Sequence, residues 1–196
     1  MSPLNAAWAT WLGWYVTWCL AAFWASRAAA RPPRKIDWTH RLWSVAGLTL
    51  VGLKPSDALR RIPPIGILTH PLWREPSWLS WTLVAGVAAG FGFCWWARLH
   101  LGRLWSGLVT VKADHRIIDT GPYRLVRHPI YTGVIFAALM TALIKASPCA
   151  LIGFGLFAFG FWVTARLEER FLRDQLGAEA YDAYSRRTPM LVPGLL

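Results

Sequence analysis

Residues 121–165 decide the fold: GPYRLVRHPIYTGVIFAALMTALIKASPCALIGFGLFAFGFWVTA. Polar side chains cluster at the start of this stretch, and two apolar runs follow at residues 130–146 and 148–165. A membrane-spanning helix needs about 20 mostly apolar residues, and both runs approach that length. The short polar link KASP, residues 145–148, predicts a tight hairpin of two transmembrane helices.

Three further helices are predicted before this hairpin, at residues 6–25, 38–53 and 78–99. The second reaches spanning length only if residues 38–42 are included, with their charged side chains at the interface. Residues 54–77 are rich in proline and predict a loop. After the hairpin, the tail begins as a helix that Gly177 is expected to end.

The predicted fold class is therefore all-α, a polytopic membrane bundle of about five transmembrane helices. Residues 1–99 hold three helices and the proline-rich loop. Residues 100–196 hold a polar, basic loop, the transmembrane hairpin and a charged tail.

The composition indicates an integral membrane protein. The chain is 55% hydrophobic, contains 14 tryptophans and has a mean hydropathy of +0.34. Its net charge is +11, and the basic residues lie in the segments between the apolar runs. This pattern favours contact with lipid head groups over contact with nucleic acid. No positive residue precedes the first apolar run, so we expect a retained helix rather than a signal peptide.

The distribution of positive charge predicts the topology. Basic residues concentrate in residues 27–41, 100–129 and 166–196, which places these segments on the cytoplasmic side and the N-terminus outside. The loop at residues 54–77 does not fit this scheme, because it would carry Arg60, Arg61 and Arg74 outside.

The turn before the fourth predicted helix has the chemistry of a binding site. Pro129 suits the first turn of a helix, so Arg127 and His128 would stand at a helix start whose free N–H groups attract an anion or carboxylate. Tyr131 and Gly133, about one turn further on, would flank a ligand. The alternative is that these polar side chains only anchor the helix in the head-group region.

Two adjacent carboxylates follow the fifth predicted helix. Glu169 and Arg173 are spaced to pair on a solvated face. Glu168 is predicted to point toward the buried face that carries Ala165, where a carboxylate needs a partner such as Arg127 or a cationic ligand. A solvated charge run is the alternative interpretation.

No metal site is predicted. The spacing of His100, His115 and His128 matches no metal-ligand motif, and the three cysteines form no CxxC pair. The chain also lacks a glycine-rich phosphate loop, a GxSxG motif and a GxGxxG motif. These absences argue against the common soluble nucleotide-binding folds.

Residues 98–133 and 166–194 resemble the isoprenylcysteine carboxyl methyltransferase family of integral membrane enzymes. The resemblance rests on RHPxYxG at residues 127–133, followed by the paired glutamates and a tyrosine-rich tail ending in LVPG. The larger group also includes phospholipid N-methyltransferases. The resemblance implies a helical membrane methyltransferase that uses S-adenosylmethionine, bound in a cytoplasmic pocket of the C-terminal half.

The resemblance also implies roles for individual residues. Arg127 would hold a carboxylate of the cofactor or substrate, Glu168 or Glu169 would meet an ammonium group, and Tyr123 or a glutamate would assist proton loss from an amine acceptor. The pocket would be lined or shaped by His115, Gly121, Tyr123, His128, Pro129, Tyr131 and Gly133.

The expected reaction is methyl transfer to a lipophilic acceptor that enters from the bilayer, with S-adenosylhomocysteine as the product. An isoprenylcysteine-type carboxylate and a phosphatidylethanolamine-type amine are both open as acceptors. The alternative class is a non-enzymatic scaffold or small transporter that uses the Arg/His cluster as a head-group anchor.

Overall fold

A computed structural model describes residues 1–23, 34–102 and 118–195, and within these residues every regular element is a helix. The predicted all-α class is therefore confirmed for the described part. The helices are α1 Pro3–Ala22, α2 Arg34–Gly52, α3 Asp57–Arg60, α4 Pro63–Thr69, α5 Ser77–Leu101, α6 Pro122–Leu125, α7 Pro129–Lys145, α8 Pro148–Leu176 and α9 Ala178–Ser185.

The long helices agree closely with the prediction. α5 and the α7–α8 hairpin occupy the expected residues, and α2 runs continuously through residues 38–42. α8 continues without a break into the charged tail, because the stretch between Gly160 and Gly177 contains no glycine or proline. Gly177 ends α8 with φ +91°, as predicted, and α9 starts directly after it.

The α7–α8 hairpin is built by three consecutive residues. Ala146 ends α7 in the left-handed region with φ 52°. The hydroxyl of Ser147 then accepts a hydrogen bond from the Ala150 N–H, which caps α8, and Pro148 occupies the first turn. The two helices therefore lie side by side.

The long helices pack in two pairs that the hairpin joins. α5 packs on α7, α2 packs on α8, and α1 lies against α5 and α7. A Cβ on Gly133 would lie 2.4 Å from the carbonyl oxygen of Gly90, and one on Gly153 would lie 2.7 Å from that of Gly47. Only glycine permits this backbone approach, so these contacts fix how each pair sits.

Among the described residues, two helices, Ser77–Leu101 and Pro148–Gln175, are long and apolar enough to cross a membrane, and α7 is apolar but shorter. In an 18-residue apolar stretch of each helix, the share of residues buried inside the protein is only 28% for the first helix and 33% for the second. Large apolar side chains stay exposed on both helices, including Trp78 and Phe159. These features suit contact with lipid, while a five-crossing topology stays a prediction.

Residues 54–77 differ from the predicted loop, since they contain the short helices α3 and α4. Ser56 caps α3 through the Leu59 N–H, and Pro63 stands in the first turn of α4. Prolines start a helix here instead of only interrupting structure.

Candidate functional site

The approach to the site is a tight turn at Gly121-Pro122. Gly121 has φ +58°, and a Cβ there would lie 2.7 Å from the ring of His100. That ring contacts Thr120 Oγ1 through Nε2 at 2.9 Å. Tyr123 is buried in α6, and its carbonyl accepts a hydrogen bond from the Tyr184 hydroxyl at 2.7 Å. The turn is thus held by both α5 and α9.

α7 starts at Pro129, as predicted, but tail carbonyls lie beside its start. The N–H groups of Arg127 and His128 donate to the carbonyls of Pro189 and Met190, at 2.8 and 3.1 Å. The hydroxyl of Thr132 donates to the Leu191 carbonyl at 2.6 Å. The C-terminal tail therefore lies along the start of α7, where the sequence suggested an anion.

The Arg/His turn and the paired glutamates form one cluster, which we call the RHEE cluster: Arg127, His128, Glu168 and Glu169. Arg127 Nε donates to Glu169 Oε1 at 2.6 Å, and His128 Nε2 lies 3.3 Å from the same oxygen. His128 Nδ1 lies 3.4 Å from Glu168 Oε2. Only 8–18% of the surface of each of the four side chains is exposed to solvent.

His128 lies between two carboxylates, and this position controls its protonation. Burial alone would lower the pKa of His128, but its hydrogen bonds to Glu168 and Glu169 outweigh burial and raise that pKa above the ordinary 6.5. Both ring nitrogens face a carboxylate oxygen, an arrangement that suits the doubly protonated ring. The cluster then contains two cations and two anions and is neutral.

Arg127 makes further contacts that the sequence did not indicate. Its Nη1 donates to the carbonyls of Ser185, at 2.9 Å, and Thr188. The guanidinium of Arg127 thus donates hydrogen bonds to these two carbonyls and to Glu169. Arg127 therefore ties the tail to the start of α7, and the structure does not leave it open toward a ligand carboxylate as expected.

The predicted pair of Glu169 and Arg173 is wrong. Glu169 points inward to Arg127 and His128, whereas Arg173 forms two 2.8 Å hydrogen bonds with Asp182 of α9. An exposed pair one turn apart contributes little, while buried cations require a carboxylate. The tertiary partners therefore determine where Glu169 points.

Glu168 points inward, as predicted, but it contacts Tyr131 and His128 instead of the predicted partner Arg127. The Tyr131 hydroxyl donates to Glu168 Oε1 at 2.6 Å, and His128 contacts the other oxygen. The Tyr131 ring stacks on His128 with centroids 5.4 Å apart and planes 2° from parallel. Tyr131 also meets Phe161 of α8 edge-on at 5.0 Å. Glu168 is thus fixed beside an aromatic wall.

Gly133 lies on a different face of α7. A Cβ there would meet Gly90 and Cys94 of α5, so its role in this structure is helix packing. His115 lies outside the described residues. The structure therefore brings Arg127, His128 and Tyr131 together with both glutamates, and it places Gly133 away from them.

Sequence reasoning missed several residues that complete the site. Arg41 of α2 interacts electrostatically with Tyr131, although the sequence suggested only an interfacial residue. Ser185 and Thr188 hold Arg127 through backbone carbonyls, which carry no signal in the sequence. Within residues 1–23, 34–102 and 118–195, no group of three His, Cys, Asp or Glu side chains is placed to hold a metal.

The region that resembles known proteins contains all four residues of the RHEE cluster. Residues 78–174 match the isoprenylcysteine carboxyl methyltransferase (ICMT) family. The chain is 27% identical over 100 residues to protein-S-isoprenylcysteine O-methyltransferase B of Arabidopsis thaliana, covering 50% of each chain. It is 28% identical over 131 residues to a cobalt-zinc-cadmium resistance protein of Cupriavidus metallidurans, covering 64% of this chain and 56% of that one.

A third relative is the methanethiol S-methyltransferase of a Pseudomonas species. It is 32% identical over 140 residues, which cover 64% of this chain and 51% of the relative. The matches thus span about half the length of these relatives. The family match at residues 78–174 contains the Arg/His turn, the hairpin and both glutamates. The chain therefore belongs to the isoprenylcysteine carboxyl methyltransferase family.

Proposed function

We propose that the protein is a multi-pass membrane methyltransferase that transfers a methyl group from S-adenosylmethionine to a lipophilic acceptor. One observation carries this proposal: the Arg/His turn and the paired glutamates, 41 residues apart along the chain, form one buried cluster within the family match. We further propose that this cluster lies on the cytoplasmic side and that the N-terminus lies outside.

A carboxylate of the cluster fits the cationic end of this cofactor. S-adenosylmethionine carries an ammonium and a sulfonium, so it needs a carboxylate that is partly accessible. Glu168 is the more exposed of the two glutamates, with 18% of its side chain accessible against 12% for Glu169. Among the described residues, its Oε2 contacts His128 at 3.4 Å. We therefore propose that Glu168 binds the cationic end of the cofactor, and that Glu169 holds Arg127 and His128 in place.

The cofactor supplies an already electrophilic methyl group, so the protein has to position groups and exclude water. Tyr131 holds Glu168 by its hydroxyl, and the Tyr131–His128 stack forms an aromatic wall beside it. Arg127 positions the tail over the start of α7 and acts through that contact. These residues preorganise the site before the acceptor arrives.

Tyr123 is better suited to donate a hydrogen bond than to accept a proton. Burial raises the pKa of Tyr123 well above its ordinary 10, with smaller contributions from Tyr184 and Glu168. Its phenol therefore stays neutral at physiological pH. For an acceptor that must lose a proton, the base is therefore a glutamate of the cluster rather than Tyr123.

The acceptor proposed first is a carboxylate of the isoprenylcysteine type, because several curated relatives carry that name. A thiol acceptor is the second candidate. The similarity to a methanethiol S-methyltransferase favours it, and so does the engagement of Arg127 by protein groups, which removes the cation expected to hold a carboxylate. A thiol has a proton to lose, which a glutamate of the cluster would take.

The geometry disfavours the scaffold alternative. A head-group anchor has to expose its cation, whereas the Arg127 and His128 side chains are 10% and 8% exposed and face carboxylates. Buried and paired charges of this kind cannot reach lipid phosphates. They suit a site that holds a ligand within the protein.

The test is methyl transfer from labelled S-adenosylmethionine to three acceptors offered separately: a prenylated cysteine, a lipophilic thiol and phosphatidylethanolamine. We expect label in the first or the second, and Arg127→Ala and Glu168→Ala should abolish it while the protein still inserts. Glu179→Ala, an exposed carboxylate on α9, is the control. Absence of label from every acceptor, or full activity of the Arg127→Ala/Glu168→Ala double variant, would refute the proposal.

A further inference from the structure

A second cluster of charge lies at the opposite end of α7 from the RHEE cluster. An open cavity of 240 Å³ there is lined by Pro71, Trp73, Arg74, Glu75, Ile144, Lys145 and Ala146. α7 has 17 residues, so the cavity lies about 25 Å from His128 along the helix axis. This distance puts the cavity near the other surface of a bilayer.

The cavity has a defined framework. The Leu72 N–H donates to the Ala146 carbonyl at 2.6 Å, which holds the segment before α5 against the hairpin. Lys145 Nζ donates to the Leu53 carbonyl at 2.5 Å, which brings the end of α2 to the same place. The segment before α5 and the hairpin thus border the space, and the end of α2 lies beside it.

The cavity carries positive charge without an opposing carboxylate contact. In the part of the chain that the structure describes, neither Arg74 nor Lys145 takes part in an ion pair within 4 Å. Arg60 adds a further cation, because it interacts electrostatically with Lys145. The one acidic lining residue, Glu75, accepts a hydrogen bond from the Ser80 hydroxyl at 3.1 Å. Cations that line a cavity without carboxylate partners attract an anion.

The cavity is smaller than the roughly 300 Å³ at which pockets for whole organic ligands begin, so a small charged group is its natural occupant. Trp73 stands at its edge with 39% of its surface exposed, as tryptophans do at a membrane interface. We propose that this cavity binds an anionic phosphate group, carried by a lipid head group or free in solution. This would account for Arg60 and Arg74, cations that conflict with the predicted topology.

The test is the thermal midpoint of the purified full-length chain in neutral detergent, titrated with dioctanoyl-phosphatidylglycerol, dioctanoyl-phosphatidylcholine or inorganic phosphate. We expect phosphatidylglycerol to raise the midpoint more than phosphatidylcholine. Arg74→Gln and Lys145→Gln should each weaken its apparent affinity about fivefold, the effect of one cation near an anionic surface. Gln at residue 145 keeps a donor for the Leu53 carbonyl, and residue 74 is exposed, so both variants should fold.

Arg61→Gln is the matched control, because Arg61 is exposed on the same segment but does not line the cavity. A response to inorganic phosphate that the two cavity variants weaken would support the site and identify a soluble source. Equal weakening by Arg61→Gln would show diffuse surface charge, and an equal response to both lipids would show no anion preference. Either result would overturn the proposal, independently of the methyltransferase activity.

Discussion

The two ends of α7 hold their charges in opposite ways. At the His128 end, each cation faces a carboxylate and the side chains are nearly buried. At the Lys145 end, Arg74 and Lys145 face an open cavity and, among the described residues, pair with no carboxylate. Charges can be buried only when they are paired, so the first end is a preorganised site and the second is a surface that can recruit an anion.

The largest expected effect comes from removing the shared acceptor of the RHEE cluster. Glu169→Ala would leave Arg127 and His128 facing one carboxylate fewer in a buried position. We expect a loss of about 3–5 kcal/mol in the free energy of unfolding, measured by denaturation in detergent. Glu179→Ala, which alters an exposed carboxylate, should change it little. Equal loss in both variants would contradict the pairing argument.

A second prediction tests Arg127 as the tie between the tail and α7. Lysine cannot reproduce a guanidinium that serves Glu169, Ser185 and Thr188 together. Arg127→Lys should therefore cost about 2 kcal/mol and speed protease cleavage after residue 185. Arg173→Lys, in an exposed pair with Asp182, should leave cleavage unchanged. Unchanged cleavage in Arg127→Lys would show that the tail is held by other contacts.

The pH dependence of stability should report on His128. Its pKa is raised in the folded state, so its contribution is complete below the ordinary value of 6.5 and is lost as pH rises through the raised pKa. The thermal midpoint should fall on raising the pH from 6 through this range, and His128→Gln should reduce the slope. His70→Gln, at an exposed position, should keep it. A wild-type slope in His128→Gln would assign the effect to another group.

The smallest effect is expected at the other end of α7. Lys145→Gln keeps a hydrogen-bond donor, and the cation it removes is only half buried. Without added lipid, the free energy of unfolding should change by less than about 1 kcal/mol, and methyl transfer should not change. A loss as large as that of Glu169→Ala would erase the distinction between the two ends.

Local chemistry explains what the sequence could predict. Pro129 and Pro148 begin helices, Gly177 ends one, and the KASP link turns the hairpin, all through short-range geometry. Arg127 meets the carbonyls of residues 58 and 61 positions away, and no spacing rule indicates backbone acceptors that far along the chain. The pairing of Glu169 with Arg173 was predicted for the same reason, since helical spacing identifies only neighbours on one helix.

Glycines show the same limit. Gly133 stands in the RHPxYxG motif, and the resemblance implies that it lines or shapes the cofactor pocket, yet its missing side chain allows contact with Gly90 of α5. A glycine signals a close approach in the sequence but does not identify which group approaches. Only the tertiary packing shows whether the group beside such a glycine is a ligand or a neighbouring helix.

The central claim is that the RHEE cluster holds the methyl donor through Glu168. Calorimetric titration of the purified protein with S-adenosylhomocysteine tests it most directly, comparing wild type with Glu168→Gln and with Glu179→Gln as the control. The account predicts binding by wild type and Glu179→Gln, and at least about tenfold weaker binding by Glu168→Gln, the effect of losing one charged hydrogen bond. Equal binding by all three proteins, or no binding by wild type, would contradict it.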